Sequence, residues 1–386
     1  MSLRWLPLLL LLPLSAACAG RRAEPSTPRD VVEMDEMRIV AKRTEDGEYV
    51  FSSYDAPGLF EEATGLLNRG ECRDAVAGYD RLVREFPSSV YASPALYNAG
   101  LCLQELDRPE EAAERFERIV SERPDSPDVA HAHFQLAKLY VALERWDSAV
   151  AAADWLLARE DLSPDERLEA MGRRAQALLG AGHLDEAERQ ARTALGYFRS
   201  GSEDGLVRDN HFAATANFVL AEVLRRRAEA IEIPPGGIEA QRPVLERRAQ
   251  LVLDAQREYF NTIGHEDPRW AAASGYRIGA MYDAFWEAIM DAPVPPPRRK
   301  LPEDHLPIYR EEYRKELARL VKPLIRHSIR YWELTLMMVE RAGVDTEWST
   351  KIREDLEKAR ERLLDQPEGP GGLPASEPEG GPSSSS

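Results

Sequence analysis

Cysteine is scarce in this 386-residue chain, with only Cys18, Cys72 and Cys102. So few excludes a fold stapled by several disulfides, and no Cys/His spacing suits a zinc site. After Leu14 no second long apolar run occurs, so nothing beyond it reaches the roughly 20 residues a spanning helix needs. A basic surplus is missing as well. A formal net charge of −17 and a pI near 5.1 repel nucleic-acid phosphates and discourage close contact with anionic lipid. There is neither a phosphate-binding glycine loop nor a nucleophile elbow. His131 and His133 are the one closely spaced His pair, and an i, i+2 spacing on a helix points them to different faces. The sequence therefore predicts no catalytic set, no metal and no cofactor.

What the chain does have is a repeated spacing. Small residues stand at Ala63, Gly100, Ala137 and Ala175, each followed twelve positions later by alanine: Ala75, Ala112, Ala149 and Ala187. The interval from one of these alanines to the next is nearly constant. Small residues belong where two helix backbones come close, because a larger side chain would push them apart. A second contact of the first helix follows at Leu66, Leu103, Tyr140 and Leu178, and Tyr79, Phe116, Ala153 and Ala191 extend the second helix. All of these lie on i, i+3, i+4, i+7 rows, the apolar stripe of an amphipathic helix. Pro87 and Pro124 close the first two units, where a missing N–H ends the second helix.

The pattern resembles the tetratricopeptide repeat, a helical hairpin of about 34 residues. The resemblance implies an all-α, helical-hairpin solenoid of about six hairpins plus a capping helix, with disordered termini. Residues 56–200 hold four regular repeats, and residues 201–365 continue irregularly. An insertion between Ala221 and Ala255 lengthens the fifth first helix towards Ile231 and puts a turn at Pro234–Gly237. Ile278-Gly279 and Tyr282 open a sixth unit whose second helix places Ser328, Trp332 and Thr335 in the core slots. Pro323 should kink or divide that helix. A last helix near Thr346–Leu364 would hide the apolar face of the final repeat, and residues 366–386, nearly all Pro, Gly, Glu and Ser, should be disordered.

Ahead of the repeats lies an address. Arg4, a leucine-rich run and Ser15-Ala16-Ala17-Cys18 have the layout of a bacterial secretory signal over residues 1–17. A Cys directly after small residues looks like a lipobox, which would leave Cys18 as a lipid-modified N-terminus, with residues 18–55 as a tether. Ser15 stands where a large aliphatic residue is usual, which leaves plain signal-peptidase cleavage after Ala17 or Ala19 as the alternative. Ala19 follows the Cys where Asp would signal inner-membrane retention, so the analogy favours a periplasm-facing, outer-membrane anchor. Arg38-Ile39-Val40 within the tether reads as a strand or as nothing. Cys72 and Cys102 fall on adjacent antiparallel helices, which fits either a disulfide in an oxidising periplasm or two small buried hydrophobes.

A tetratricopeptide solenoid binds proteins. By the resemblance, positions 2, 5, 9 and 12 of each first helix face a concave wall, here including Phe60, Tyr97, Gln104, His131, Phe134, Lys138 and Gln176. Aromatics among hydrogen-bonding groups suit an extended or helical peptide. Asn98 matches one position of the carboxylate clamp of chaperone-type repeats, but Phe60, Thr64, His131 and Gln135 depart from it, so carboxylate capture is not expected. The first three units resemble repeats of the barrel-assembly lipoprotein and the Tol–Pal-associated protein. The whole mature chain, with Glu347-Trp348 before the final helix, is similar to tetratricopeptide lipoproteins of the myxobacterial adventurous gliding machinery. That resemblance implies a non-enzymatic scaffold with periplasmic and outer-membrane protein partners. A wall-degrading lytic enzyme would need a catalytic domain after the solenoid, and the stretch from Leu301 to Leu364 is required to finish the sixth hairpin and cap it.

Overall fold

The computed structural model describes residues 36–343 and 347–364. The signal segment, Cys18 and the 366–386 tail lie outside the described residues. Among those described are thirteen α-helices, two strands and one short 3-10 turn. The chain divides into two units, Met1–Ala56 and Pro57–Ser386.

In the first unit, β1 (Met37–Arg43) pairs antiparallel with β2 (Tyr49–Asp55), with Ala41 opposite Phe51. Part of the segment expected as a tether is therefore a hairpin. Its turn is closed by Thr44 and Glu48, whose backbone groups pair at 2.8 Å, with Gly47 at φ 86°. That left-handed position suits glycine.

The second unit is a stack of helical hairpins. The four regular ones are α1 (Ala56–Asn68) with α2 (Cys72–Glu85), α3 (Ala92–Glu105) with α4 (Pro109–Glu122), α5 (Val129–Ala142) with α6 (Trp146–Leu157), and α7 (Pro164–Gly180) with α8 (Leu184–Glu203). The longer ones are α9 (His211–Glu229) with α10 (Ile238–Ile263) and α11 (Pro268–Met290) with α12 (Leu306–Ala342); α13 (Glu347–Leu364) closes the stack.

The repeat spacing acts through close packing. Ala63, Ala137, Ala175, Ala75, Ala112, Ala149 and Ala187 are all at most 1 % exposed. A Cβ on Gly100 would lie 2.5 Å from the Phe116 ring, so this crossing tolerates nothing larger than glycine. The same logic holds in the sixth hairpin, where a Cβ on Gly279 would overlap the Trp332 indole.

Each regular hairpin also turns in the same way. Gly70, Asp107, Glu144 and Gly182, each five residues before the second-helix alanine, have φ of 75°, 56°, 55° and 82°. The next residue's N–H returns to the carbonyl of Leu66, Leu103, Tyr140 or Leu178 at 2.8–3.0 Å. This is a Schellman closure of the first helix, and its left-handed residue favours glycine. At Asp107 and Glu144 a side chain accepts that strain.

Two prolines sit inside helices. Pro243 lies in α10 and Pro323 in α12, and α12 runs unbroken through Pro323. The division expected there does not occur. Pro323 is on the exposed side while Ile325, Ser328 and Trp332 are buried, so packing on one face carries the helix past the lost hydrogen bond. The outward residues of α13, among them Lys351, Glu354, Lys358 and Glu361, are exposed and charged, while Ile352, Leu356 and Ala359 face the core. This helix therefore ends the stack.

Candidate interaction face

From α5 onward each first helix packs on the next: α5 on α7, α7 on α9, α9 on α11 and α11 on α13. No pair of second helices makes comparable contact among the described residues. Helices that are closer together line the inner side of a curved stack, so the inner side of this one is built of first helices.

On α3 and α5 the expected wall residues meet. Gln104 donates to Gln135 (3.1 Å), Gln135 donates to the Tyr97 hydroxyl (3.4 Å), and Lys138 donates to the Gln104 carbonyl oxygen (3.1 Å). Tyr97 also stands edge-on to Phe116 and to His131, with ring centroids at 5.4 and 6.3 Å. His131 and Lys138 are exposed, and Tyr97, Gln104, Phe134 and Gln176 are half-buried. The ladder orders polar groups at the surface without neutralising them, and Lys138 is its one charge. Gln135, considered in the sequence only for a clamp, is its central bridge. Its position beside Phe134 gave no cue, because the neighbour it joins lies on a different hairpin.

Phe60 is separate from this ladder. It is half-buried between Tyr79 and Tyr91, with centroids 5.7 and 5.3 Å away, so much of its ring serves packing. Asn98 is occupied too, donating to the Tyr79 hydroxyl (3.2 Å), which also pairs with Thr64 (3.0 Å).

Further along, the corresponding positions are filled from within. Glu222 on α9 is 2 % exposed. Its carboxylate meets Arg225 (2.8 Å), Arg277 of α11 (3.2 Å) and the Tyr259 hydroxyl of α10 (2.5 Å). Burial works to raise its pKa, but Arg225, Arg277 and Tyr259 outweigh that and hold the carboxyl below its usual range. Arg277 also lies against Trp348 of α13, and Tyr276 donates to Asp355 (3.0 Å). Arg362 holds Asp283 at 2.9 Å. The wall is thus open over α3, α5 and α7, and knitted shut from α9 to α13. The lone acidic residue in the apolar run Phe218–Val223 was the available sequence signal for this knot.

Away from the wall, His133 of α5 is 8 % exposed and stacks on Trp155 of α6 at 3.9 Å and 15°. Neither ring nitrogen has a hydrogen-bond partner. Burial, and then Arg159, lowers its pKa to about 4. Cys72 and Cys102 are free, buried thiols. Cys72 donates to Glu105 at 3.0 Å, and burial, then Cys102 and Glu105, pushes its pKa up. Among the described residues no His/Cys/Asp/Glu cluster could hold a metal, and no helix is long and apolar enough to cross a membrane.

Two family models, both described as tetratricopeptide repeat, match residues 91–159 and 134–204. The repeats are of the tetratricopeptide type. The first matched span covers α3 to α6, the second runs from within α5 through α8, and together they include the turns at Asp107, Glu144 and Gly182. Solved tetratricopeptide structures resemble the chain at low identity. One is a tetratricopeptide repeat protein from Parabacteroides merdae, 14% identical over 79% of this chain and 98% of its own, with a TM-score of 0.39. Another is YrrB, titled as a tetratricopeptide protein with an unusual peptide-binding site, 20% identical over 55% of this chain and 92% of its own, with a TM-score of 0.37. No curated protein matches.

Proposed function

We propose that this tetratricopeptide chain is a non-enzymatic adaptor that holds a partner protein against the open wall of α3, α5 and α7. The observation that carries the reading is the Tyr97–Gln135–Gln104–Lys138 ladder, which presents fixed donors, acceptors and aromatic edges across successive repeats. Ordered groups lose little entropy on binding, so such a face suits a peptide segment of low charge. Exchanging Tyr97 and Phe134 together for Ala should weaken partner capture, read by crosslinked pull-down from membranes, with helical circular dichroism unchanged. Undiminished capture by a folded variant would remove this wall as the docking surface.

The setting of that adaptor is the cell envelope. The Leu-rich leader and Cys18 support export and a lipid anchor at the periplasmic side of the outer membrane. A diacyl or triacyl Cys binds lipid stably, since each buried CH₂ contributes roughly 0.8 kcal/mol. The resemblance of the mature chain to gliding-motility lipoproteins makes that machine the reading of choice, with envelope proteins as partners. Changing Cys18 to Ala should shift the protein into the soluble periplasmic fraction. Unaltered membrane fractionation would refute the anchor.

A further inference from the structure

We propose that Cys72 and Cys102 are a built cross-linking site, at which an oxidising compartment closes a disulfide between the first and second hairpins. They are the two cysteines among the described residues, and they come from different hairpins, on the helices α2 and α3 that pack together. Cys72 is the first residue of α2 and 4 % exposed; Cys102 lies on α3 and is fully covered. The Cys72 thiol donates to the Glu105 carboxylate at 3.0 Å, and Glu105 follows Cys102 by one turn of α3, so the Cys72 thiol sits at the face of α3 that carries Cys102.

The repeat itself shows that the position does not require sulfur. Cys72 stands three residues before Ala75, and Cys102 two after Gly100. At the next junction the same two positions hold Pro109 and Leu139, and at the one after it Trp146 and Ala177. Ordinary apolar side chains fill these places in the later units. Two cysteines coincide only where the first hairpin joins the second among the four regular units. Two small hydrophobes could have been any pair of residues, whereas a cross-link needs both to be cysteine.

The chemistry balances with a small-molecule disulfide, such as oxidised glutathione, as the oxidant. One cysteine thiolate attacks it, forming a mixed disulfide and releasing one small thiolate. The second cysteine then attacks the protein sulfur of that mixed disulfide and releases the other small thiolate. The Cys72–Cys102 S–S bond forms, the small disulfide bond is broken and reduced by two electrons, and the two cysteine protons end on the two released thiols. Because both sulfurs are covered, exchange on the folded protein should be slow, and closure should be fastest as the chain folds.

The test uses the full chain, refolded in oxidised glutathione, quenched in acid, denatured and alkylated. Peptides containing residues 72 and 102 are then scored by mass, so Cys18 does not enter the count. The expected result is one linked peptide pair, two hydrogens lighter than the reduced pair. Dithiothreitol should restore two alkylation sites and lower the melting midpoint by several degrees. Cys72→Ser should leave Cys102 fully alkylated, or carrying glutathione, with no linked pair. Full alkylation of both residues in oxidised wild-type protein, or links only between different molecules, would overturn the proposal. If the variant does not fold, the wild-type peptide masses still decide. The outcome is independent of partner capture on the open wall.

Discussion

His133 makes the third hairpin sensitive to acid by a calculable amount. Its imidazole is stacked on Trp155, nearly covered and without a hydrogen-bond partner. Its pKa is lowered from 6.5 to about 4, by burial first and then by the Arg159 guanidinium, which lies 5.1 Å from the Trp155 ring centre. The unfolded chain therefore binds a proton between pH 6.5 and 4 that the folded chain refuses. Stability is undiminished above pH 6.5 and falls as pH drops through that window. The loss is roughly 1 kcal/mol near pH 5.5 and roughly 2–3 kcal/mol near pH 4.5, at about 1.4 kcal/mol per pKa unit. His133→Phe keeps a ring against Trp155 but cannot take up the proton. Urea midpoints by circular dichroism, measured for both proteins from pH 7.5 to 4.5, isolate this residue because the carboxylates titrate alike in each. The wild-type chain should lose stability relative to the variant by those amounts. Curves that stay parallel within about 0.5 kcal/mol would mean that His133 protonates freely in the fold, and the reasoning from burial would fail.

Other substitutions have definite outcomes. Glu222→Gln leaves Arg225 and Arg277 facing a neutral amide and should cost roughly 3–5 kcal/mol, seen as a lower urea midpoint with early exposure of α9 to α11 in hydrogen exchange. Glu144→Gly relieves a left-handed residue at a hairpin turn and should raise stability by roughly 0.5–1 kcal/mol, whereas Glu144→Ala should not. Trp332→Ala empties the slot beside Gly279, and its loss of roughly 3–5 kcal/mol should appear as fraying of α12 and α13 in hydrogen exchange. Replacing Gln104 and Gln135 together by Ala should lower partner affinity while leaving the thermal melt within a degree or two.

The regular hairpins were legible because their cause is local and repeated. A small residue at Gly100 or Ala137 and an alanine twelve positions on are needed at every crossing, so the requirement is written four times. The irregular units could be followed for the same reason, through Ala221, Ala255, Gly279 and Trp332. The hairpin of β1 and β2 was harder. Arg38-Ile39-Val40 alternates too briefly to separate strand from tether, and its partner begins only at Tyr49, beyond the Gly47 turn. The course of α12 past Pro323 was unreadable locally, because the packing that carries it comes from α11. The wall residues Tyr97, Gln104 and Lys138 could be placed on one face by period alone. Their joining through Gln135, and the filling of the wall by Glu222, depend on partners from neighbouring hairpins, far outside any local window of sequence.

The charged outer surface of α13 bears on how copies or relatives of this protein could assemble. A superhelix of identical modules would otherwise have no inherent limit, since each added pair of helices offers the same sticky edge to the next. Here the last edge is blunted by lysines and glutamates that would have to shed water against a neighbour. Stacking of a further helix pair on that charged face of α13 is therefore disfavoured.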